Sequence, residues 1–288
     1  PITDANIHAA VDLWESDQSA CIATYGDISN WDTSSVSDMA SLFQGHASFN
    51  EDISLWDTSN VINMQGMFYE AYAFNQDIGG WNVSNVEDMS GVFYDADSFN
   101  QDIGSWNVSV VVTMQSAFAL ADSFNQDLGL WNVSSVDNMI SMFKAATSFN
   151  QDLGLWNVSN VTNMTSMFAQ APFDQDLGSW DVSNVVAMTQ MFAGGGLSIA
   201  NYDSLLIGWS ALTLKDGVDF HAGSSTYCNG ETARQSIINN YNWTITDNGL
   251  DSNCPTCLID DTNIHAAVDL WESDQSACIA TYGDISTW

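Results

Sequence analysis

Positive charge is nearly missing from this chain. Three Lys and Arg stand against 36 Asp and Glu in 288 residues, a formal net charge of -33 at pH 7. Nucleic acids and anionic membrane surfaces are recognised through basic patches, so this balance argues against both as partners. No stretch approaches the 18 or more consecutive apolar residues of a spanning helix, which argues against membrane insertion. Catalytic spacings are missing as well. The four histidines, His8, His46, His221 and His265, form no H-x-x-x-H or H-E-x-x-H pattern. There is no G-x-S-x-G and no phosphate-binding glycine loop, so the chain reads as a non-enzyme. Neither a signal peptide nor an initiator Met opens the sequence at Pro1, which suggests a mature or excised piece. Glu is scarce too: six of the acids are Glu, so the excess is Asp, a turn and cap residue. A solvated, self-repelling surface is favoured over one that collects divalent cations.

What is present is repetition. Trp31, Trp56, Trp81, Trp106, Trp131, Trp156 and Trp180 are 25 residues apart, save one step of 24. Met39 to Met188 and Phe43 to Phe192 keep the same step, and the short interval is a deletion in "MFAQAPFDQD". A fixed period of this size predicts a solenoid whose units bury their apolar faces against one another. Hydrophobic content of 45% with twelve Trp excludes a disordered chain.

In "DISLWDTSNVINMQGMFYEAYAFNQ" the frame I-x-x-W-x-[VT]-x-x-V matches that of leucine-rich repeats. It predicts a short strand with Trp56 and Thr58 inward and Asp57 outward. Met64, Met67, Phe68 and Ala71 have the i, i+3, i+4, i+7 spacing of a helix face. Asp38, Asn63, Asp88, Thr113, Asn138 and Asn163 stand before the Met as helix N-caps. Ala187 breaks that rule and predicts a frayed last helix. The expected fold is thus an α/β, leucine-rich-repeat-like solenoid of about seven 25-residue coils, each a short strand plus a short helix.

Residues 1–30 read as an N-terminal cap, 31–193 as the repeats, 194–257 as a C-terminal cap and linker, and 258–288 as the start of a further module. The cap predicts helices at Leu205–Trp209 and Glu231–Asn239, and strands at Val218–His221 and Trp243–Thr246. Asp261 to Trp288 repeats Asp4 to Trp31 at an offset of 257, with two differences, Ala5/Thr262 and Asn30/Thr287. That predicts a tandem array of identical modules, the partners of each being its neighbours in a fibre.

The pattern W-[DN]-[VT]-S-x-V-x-x-M-x-x-M-F-x-x-A-x-x-F-N-Q-D-[IL], over Asp27 to about Phe192, resembles the BspA-like leucine-rich-repeat family of bacterial surface proteins. "NYDSLLIGWS" to "WTITDNG" is similar to the C-terminal cap often attached to those repeats. The resemblance implies an extracellular or surface-displayed protein with an adhesive or structural role, and no enzymatic one. It carries over no ligand-binding residue.

Three sets of side chains are candidates for chemistry. Asp52, Asp77, Asp102, Asp127, Asp152 and Asp176 form a ladder with rungs about 5 Å apart. Either each accepts N–H bonds in its own turn, or the ladder holds Ca²⁺ between coils; the triplet supplies few oxygens for Ca²⁺, which favours the turns. "CPTC" has a redox or zinc form, but structural disulfides fit its place in a linker better and imply an oxidising compartment. The expected pairs are Cys228–Cys254 and Cys257–Cys278, with Cys21 bridging a preceding module or another chain. N-x-[ST] sequons include Asn82, Asn160, Asn163 and Asn242; stacked glycans would collide, so Asn242 in the cap is the best candidate. An alternative function is a binding face for a glycan, a surface or ice, formed by outward Asp57, Asn82, Asn107, Asn132, Asn157 and Asp181.

Overall fold

A computed structural model describes residues 1–252, 254 and 264–273. Its elements are α1 (Ile7–Ser16), α2 (Gln18–Tyr25), a 3-10 turn (Ile28–Asn30), α3 (Ile199–Ser210), β1 (Asp219–His221), α4 (Glu231–Tyr241), β2 (Thr244–Thr246) and α5 (Ile264–Ser273).

Between the 3-10 turn and α3 lie the repeats, and they are stacked side by side. Parallel bridges run Asp38 to Asn63, Asp88, Thr113, Asn138, Asn163 and Ala187, one residue per repeat. From each bridge the chain runs as a ribbon of turns. Met39, Ser41, Phe43 and Gly45 donate their N–H groups to the carbonyls of Asn63, Gln65, Met67 and Tyr69 in the next repeat, at 2.7–3.0 Å. Leu42, Gln44 and His46 close turns onto Met39, Ser41 and Phe43.

This ribbon replaces the short helix that the apolar spacing predicts at Met64–Ala71. Gly66 and Glu70 have φ of 59° and 58°, and the same two positions are left-handed in the neighbouring repeats. Leu120, Ala145 and Gln170 adopt this conformation without glycine, which costs roughly 1–2 kcal/mol per residue. A helix of this length is marginal in water, and its N–H groups would bond only within one repeat. The ribbon sends half of them to the next repeat, so every turn is tied to its neighbour.

The strand expected at Trp56–Thr58 is also absent. Trp56 and Thr58 do face inward and Asp57 outward. But Trp56 N–H closes a turn on Ile53 and Val61 N–H one on Thr58, so no ladder forms there. Thr58 Oγ1 instead donates to Asn82 O at 3.0 Å. The residues read as helix N-caps cap turns: Asn63 Oδ1 accepts from Gln65 N at 3.0 Å, and Asp88 Oδ1 from Ser90 N at 2.7 Å. Ala187 lacks such a cap, yet the last ribbon does not fray, because Met188 bridges to Phe220 of β1.

The core is a set of parallel columns. Trp31 to Trp180 are buried in every repeat. From Trp56 on, each indole N–H donates to the repeat before it: Trp106 Nε1 to Ile78 O at 3.1 Å and Trp131 Nε1 to Ile103 O at 3.0 Å. Phe68, Phe93, Phe118 and Phe143 stack at 5.5 Å, with Phe74, Phe99, Phe124 and Phe149 in a second column beside them.

Both ends are covered. Ile7, Ala10, Val11 and Trp14 of α1 are buried, and Trp14 meets Trp31 edge-on at 6.4 Å. Asp4 pins α1 by accepting from Ser37 N and Ser37 Oγ, both at 2.7 Å. At the other end Trp209 of α3 continues the indole column, donating to Leu177 O at 3.1 Å. Phe192 N–H bonds His221 O at 3.0 Å, so β1 takes the place of one more ribbon. β1 and β2 pair in parallel, with Phe220 opposite Ile245. The predicted cap helices and strands are all present, with α3 starting earlier, at Ile199.

Candidate functional site

The outer surface carries several polar columns. Asp52, Asp77, Asp102, Asp127, Asp152 and Asp176 each accept the N–H of the residue two places on, at 2.8–3.0 Å. Ser54 holds the Asp52 carboxyl below its ordinary range through a side-chain and a backbone hydrogen bond. Among the described residues there is no group of three or more His, Cys, Asp and Glu placed to hold a metal. These carboxylates are engaged as turn caps. The glycine two places after five of them allows close stacking: a Cβ on Gly104 would lie 2.7 Å from Asp127 O.

The Asn and Gln of the same "NQD" triplet do more than the sequence reading allowed. Asn75 Oδ1 accepts Asn100 N at 2.9 Å, and Gln101 Nε2 reaches Asn75 O at 3.1 Å and Oδ1 at 3.0 Å. The pattern recurs at Asn100 and Asn125 and passes into the cap at Asp174, which accepts from Ser198 and Asn201. The recurrence of this Asn in five copies, Asn50 to Asn150, was the available signal.

The sequons separate by geometry. Asn242 is exposed at the left-handed C-cap of α4, its Nδ2 near Asp216 at 3.2 Å. Asn160 Nδ2 donates to Ser134 O at 2.6 Å, a contact a glycan would remove. Asn163 is half-buried in the bridge column. Asn82 is exposed, and its Oδ1 accepts Ser84 N at 3.1 Å. The outward column of Asp57, Asn82, Asn107, Asn132, Asn157 and Asp181 caps Ser turns in the same way.

The cap contains the buried ionic group that the repeats lack. Arg234 Nε donates to Asp247 Oδ2 at 2.7 Å, and Tyr202 Oη donates to the same oxygen at 2.7 Å. Burial, then the Asp247 bond, pushes the Tyr202 hydroxyl far above its ordinary range. Asp203 accepts three backbone N–H groups, from Cys228, Asn229 and Gly230. Cys228 and Cys254 form the expected disulfide. The Cys257–Cys278 pair lies outside the described residues. Cys21 is unbridged and buried, its thiol against Ala10 O at 3.3 Å, so bridging it to a preceding module or another chain would require α2 to move.

Over the ribbon face runs a groove of about 450 Å³. Its floor is the left-handed column, Ser41, Gly66, Gly91 and Ser116, and Tyr69 and Tyr94 form one wall. The two rings stack at 4.3 Å, 5° from parallel. Beside this wall Asp95 and Asp97 have carboxyls raised by burial and by neighbouring acids, Glu70 for the first and Asp95 and Asp122 for the second.

A 25-residue repeat of turns, stacked through parallel bridges and closed by caps, defines a class of repeat protein. The chain belongs to the family described as "Mycoplasma protein of unknown function, DUF285", which matches residues 15–130 and 102–202. No curated protein and no solved structure matches it.

Proposed function

We infer that this chain is a structural link of an extracellular filament or surface adhesin, built from tandem 257-residue modules with a leucine-rich-repeat-like solenoid of the BspA-like kind. The observation that carries the reading is a sequence found twice in different surroundings. IHAAVDLWES forms α1 and again α5. In α1 Ile7 and Val11 are 0% exposed, packed on the first repeat; in α5 Ile264 and Val268 are 41% and 38% exposed. α5 thus repeats the apolar face that α1 lays on the first repeat. A following stack would cover it, as residues 32–51 cover α1, and would join rod to rod.

The role is mechanical. Stacked repeats give stiffness because each contacts only its neighbours and shares one core with them. Among the described residues no helix is long and apolar enough to cross a membrane. The Cys228–Cys254 disulfide fits an oxidising, extracellular compartment. The test is a chain extended beyond Trp288 by a copy of residues 32–118. Hydrogen exchange at 264–273 should slow to the rate of α1. Exchange as fast as in the present chain would overturn the reading.

A further inference from the structure

A binding face for glycans needs outward aromatic rings, and the tryptophans are all turned inward in the repeats. The ribbon face supplies them instead. One position per repeat, read along the stack, carries Gln44, Tyr69, Tyr94, Ala119 and Lys144. Tyr69 and Tyr94 are half-buried against each other. This fixes both rings before any ligand arrives and lowers the entropy cost of using them. Tyr94 and Ser116 also line a second depression of about 400 Å³, which contains Lys144, Ser141 and Gln170. The two hollows therefore form one trough across adjacent repeats.

The lining selects a ligand class. Ring faces stack on apolar C–H surfaces, and the side-chain amides of Gln44, Gln65 and Gln170 make no hydrogen bond among the described residues, so they are available to hydroxyls. Lys144 is the one cation of the repeats, and among the described residues no carboxylate lies within ion-pairing distance of it. In a chain of net charge -33, polyanions such as nucleic acids or acidic peptides are repelled. An apolar peptide would find few apolar walls. What remains is a polyol with C–H faces and an isolated carboxylate.

We propose that this trough binds a mostly neutral polysaccharide with isolated hexuronate residues, one sugar ring resting on Tyr94 and one carboxylate paired with Lys144. The site is independent of the link reading, since it needs one module only. The experiment is calorimetric titration of the full chain with a gluco-tetrasaccharide in which one ring is glucuronate and with the neutral gluco-tetrasaccharide. The uronate should bind saturably and about tenfold tighter than the neutral sugar. Tyr94→Ala should weaken it by about tenfold or more, and Tyr94→Phe should retain most of the affinity. Lys144→Gln, at an exposed position, should erase the preference for uronate without changing the melting temperature. Absence of saturable binding by either sugar overturns the proposal. So does equal affinity for both, or an affinity that Tyr94→Ala leaves unchanged in a folded chain.

Discussion

The stack of repeats and the C-terminal cap are held together in opposite ways. In the repeats each contact is modest and made many times: an indole N–H to the repeat before, an Asn–Gln rung, a ribbon of alternate N–H bonds. Among the described residues no ion pair joins one repeat to another; His46 faces Asp12 and Glu15 of α1. In the cap the contacts are singular. One Arg234–Asp247–Tyr202 group, one Asp203 with three N–H donors and one disulfide hold two helices and a two-stranded sheet. A repeat borrows its order from identical neighbours, whereas a terminal unit has a neighbour on one side and needs contacts of its own.

The largest expected effects test both halves of this contrast. Trp106→Ala removes a buried ring from the middle of a column and should cost about 3–5 kcal/mol in chemical denaturation. Asp247→Ala strands the guanidinium of Arg234 in a largely buried place and should cost about 3–5 kcal/mol. If the two regions differ as argued, hydrogen exchange after Asp247→Ala should rise first in α3 and α4. Exchange rising uniformly through residues 31–193 would remove the distinction.

A smaller effect sharpens the close stacking. Gly104→Ala should destabilise by about 1–3 kcal/mol, because its Cβ meets the Asp127 carbonyl. Gly80→Ala, with nothing within 4 Å, should stay within about 0.5 kcal/mol. Ser29 and Ser54 fill the equivalent place in the first repeats, so the cost is a shift of neighbours. Equal melting temperatures for the two variants would show that the repeats are not in tight contact there.

Smaller still is a pH effect on the acidic flank of the groove. Burial raises the Asp97 carboxyl in the folded chain, and Asp95 and Asp122 add to it. The folded state therefore holds its proton to higher pH than the unfolded state. The sign follows: stability falls as pH rises from the ordinary carboxylate value through the raised one. Asp97→Asn should melt slightly higher than the parent at neutral pH, and the gap should close in acid. A gap that persists below the ordinary carboxylate range would point to another cause. The smallest effect is expected from chelation. The Asp102 and Asp127 carboxylates already cap their turns, so EDTA should leave the melting temperature unchanged. A sharp drop would restore the calcium ladder.

Much of this was legible in the sequence, though not its local geometry. The buried columns followed from the period, since a Trp, Met or Phe recurring every 25 residues has to face its own copies. The cap helices and strands followed from ordinary patterns. The helix at Met64–Ala71 did not form, because i, i+3, i+4, i+7 spacing fits a ribbon of turns as well as a helix. Propensity alone does not choose between them; the next repeat does, by accepting the N–H groups. The groove was invisible because its wall changes at every repeat, from Gln44 to Tyr69 to Lys144, and a search for recurrence passes over what does not recur.

By itself the sequence determined the period, the order of caps and repeats, the inward columns and the negative surface, because each depends on composition and spacing along one chain. Tertiary structure alone decided that turns replace strands and helices, that Tyr69 and Tyr94 stack as one wall, and that Tyr94 and Lys144 line one hollow. The reason is the same in each case: a backbone donor, a ring or an apolar face is settled by what lies next to it, and in a stack the neighbour is 25 residues away.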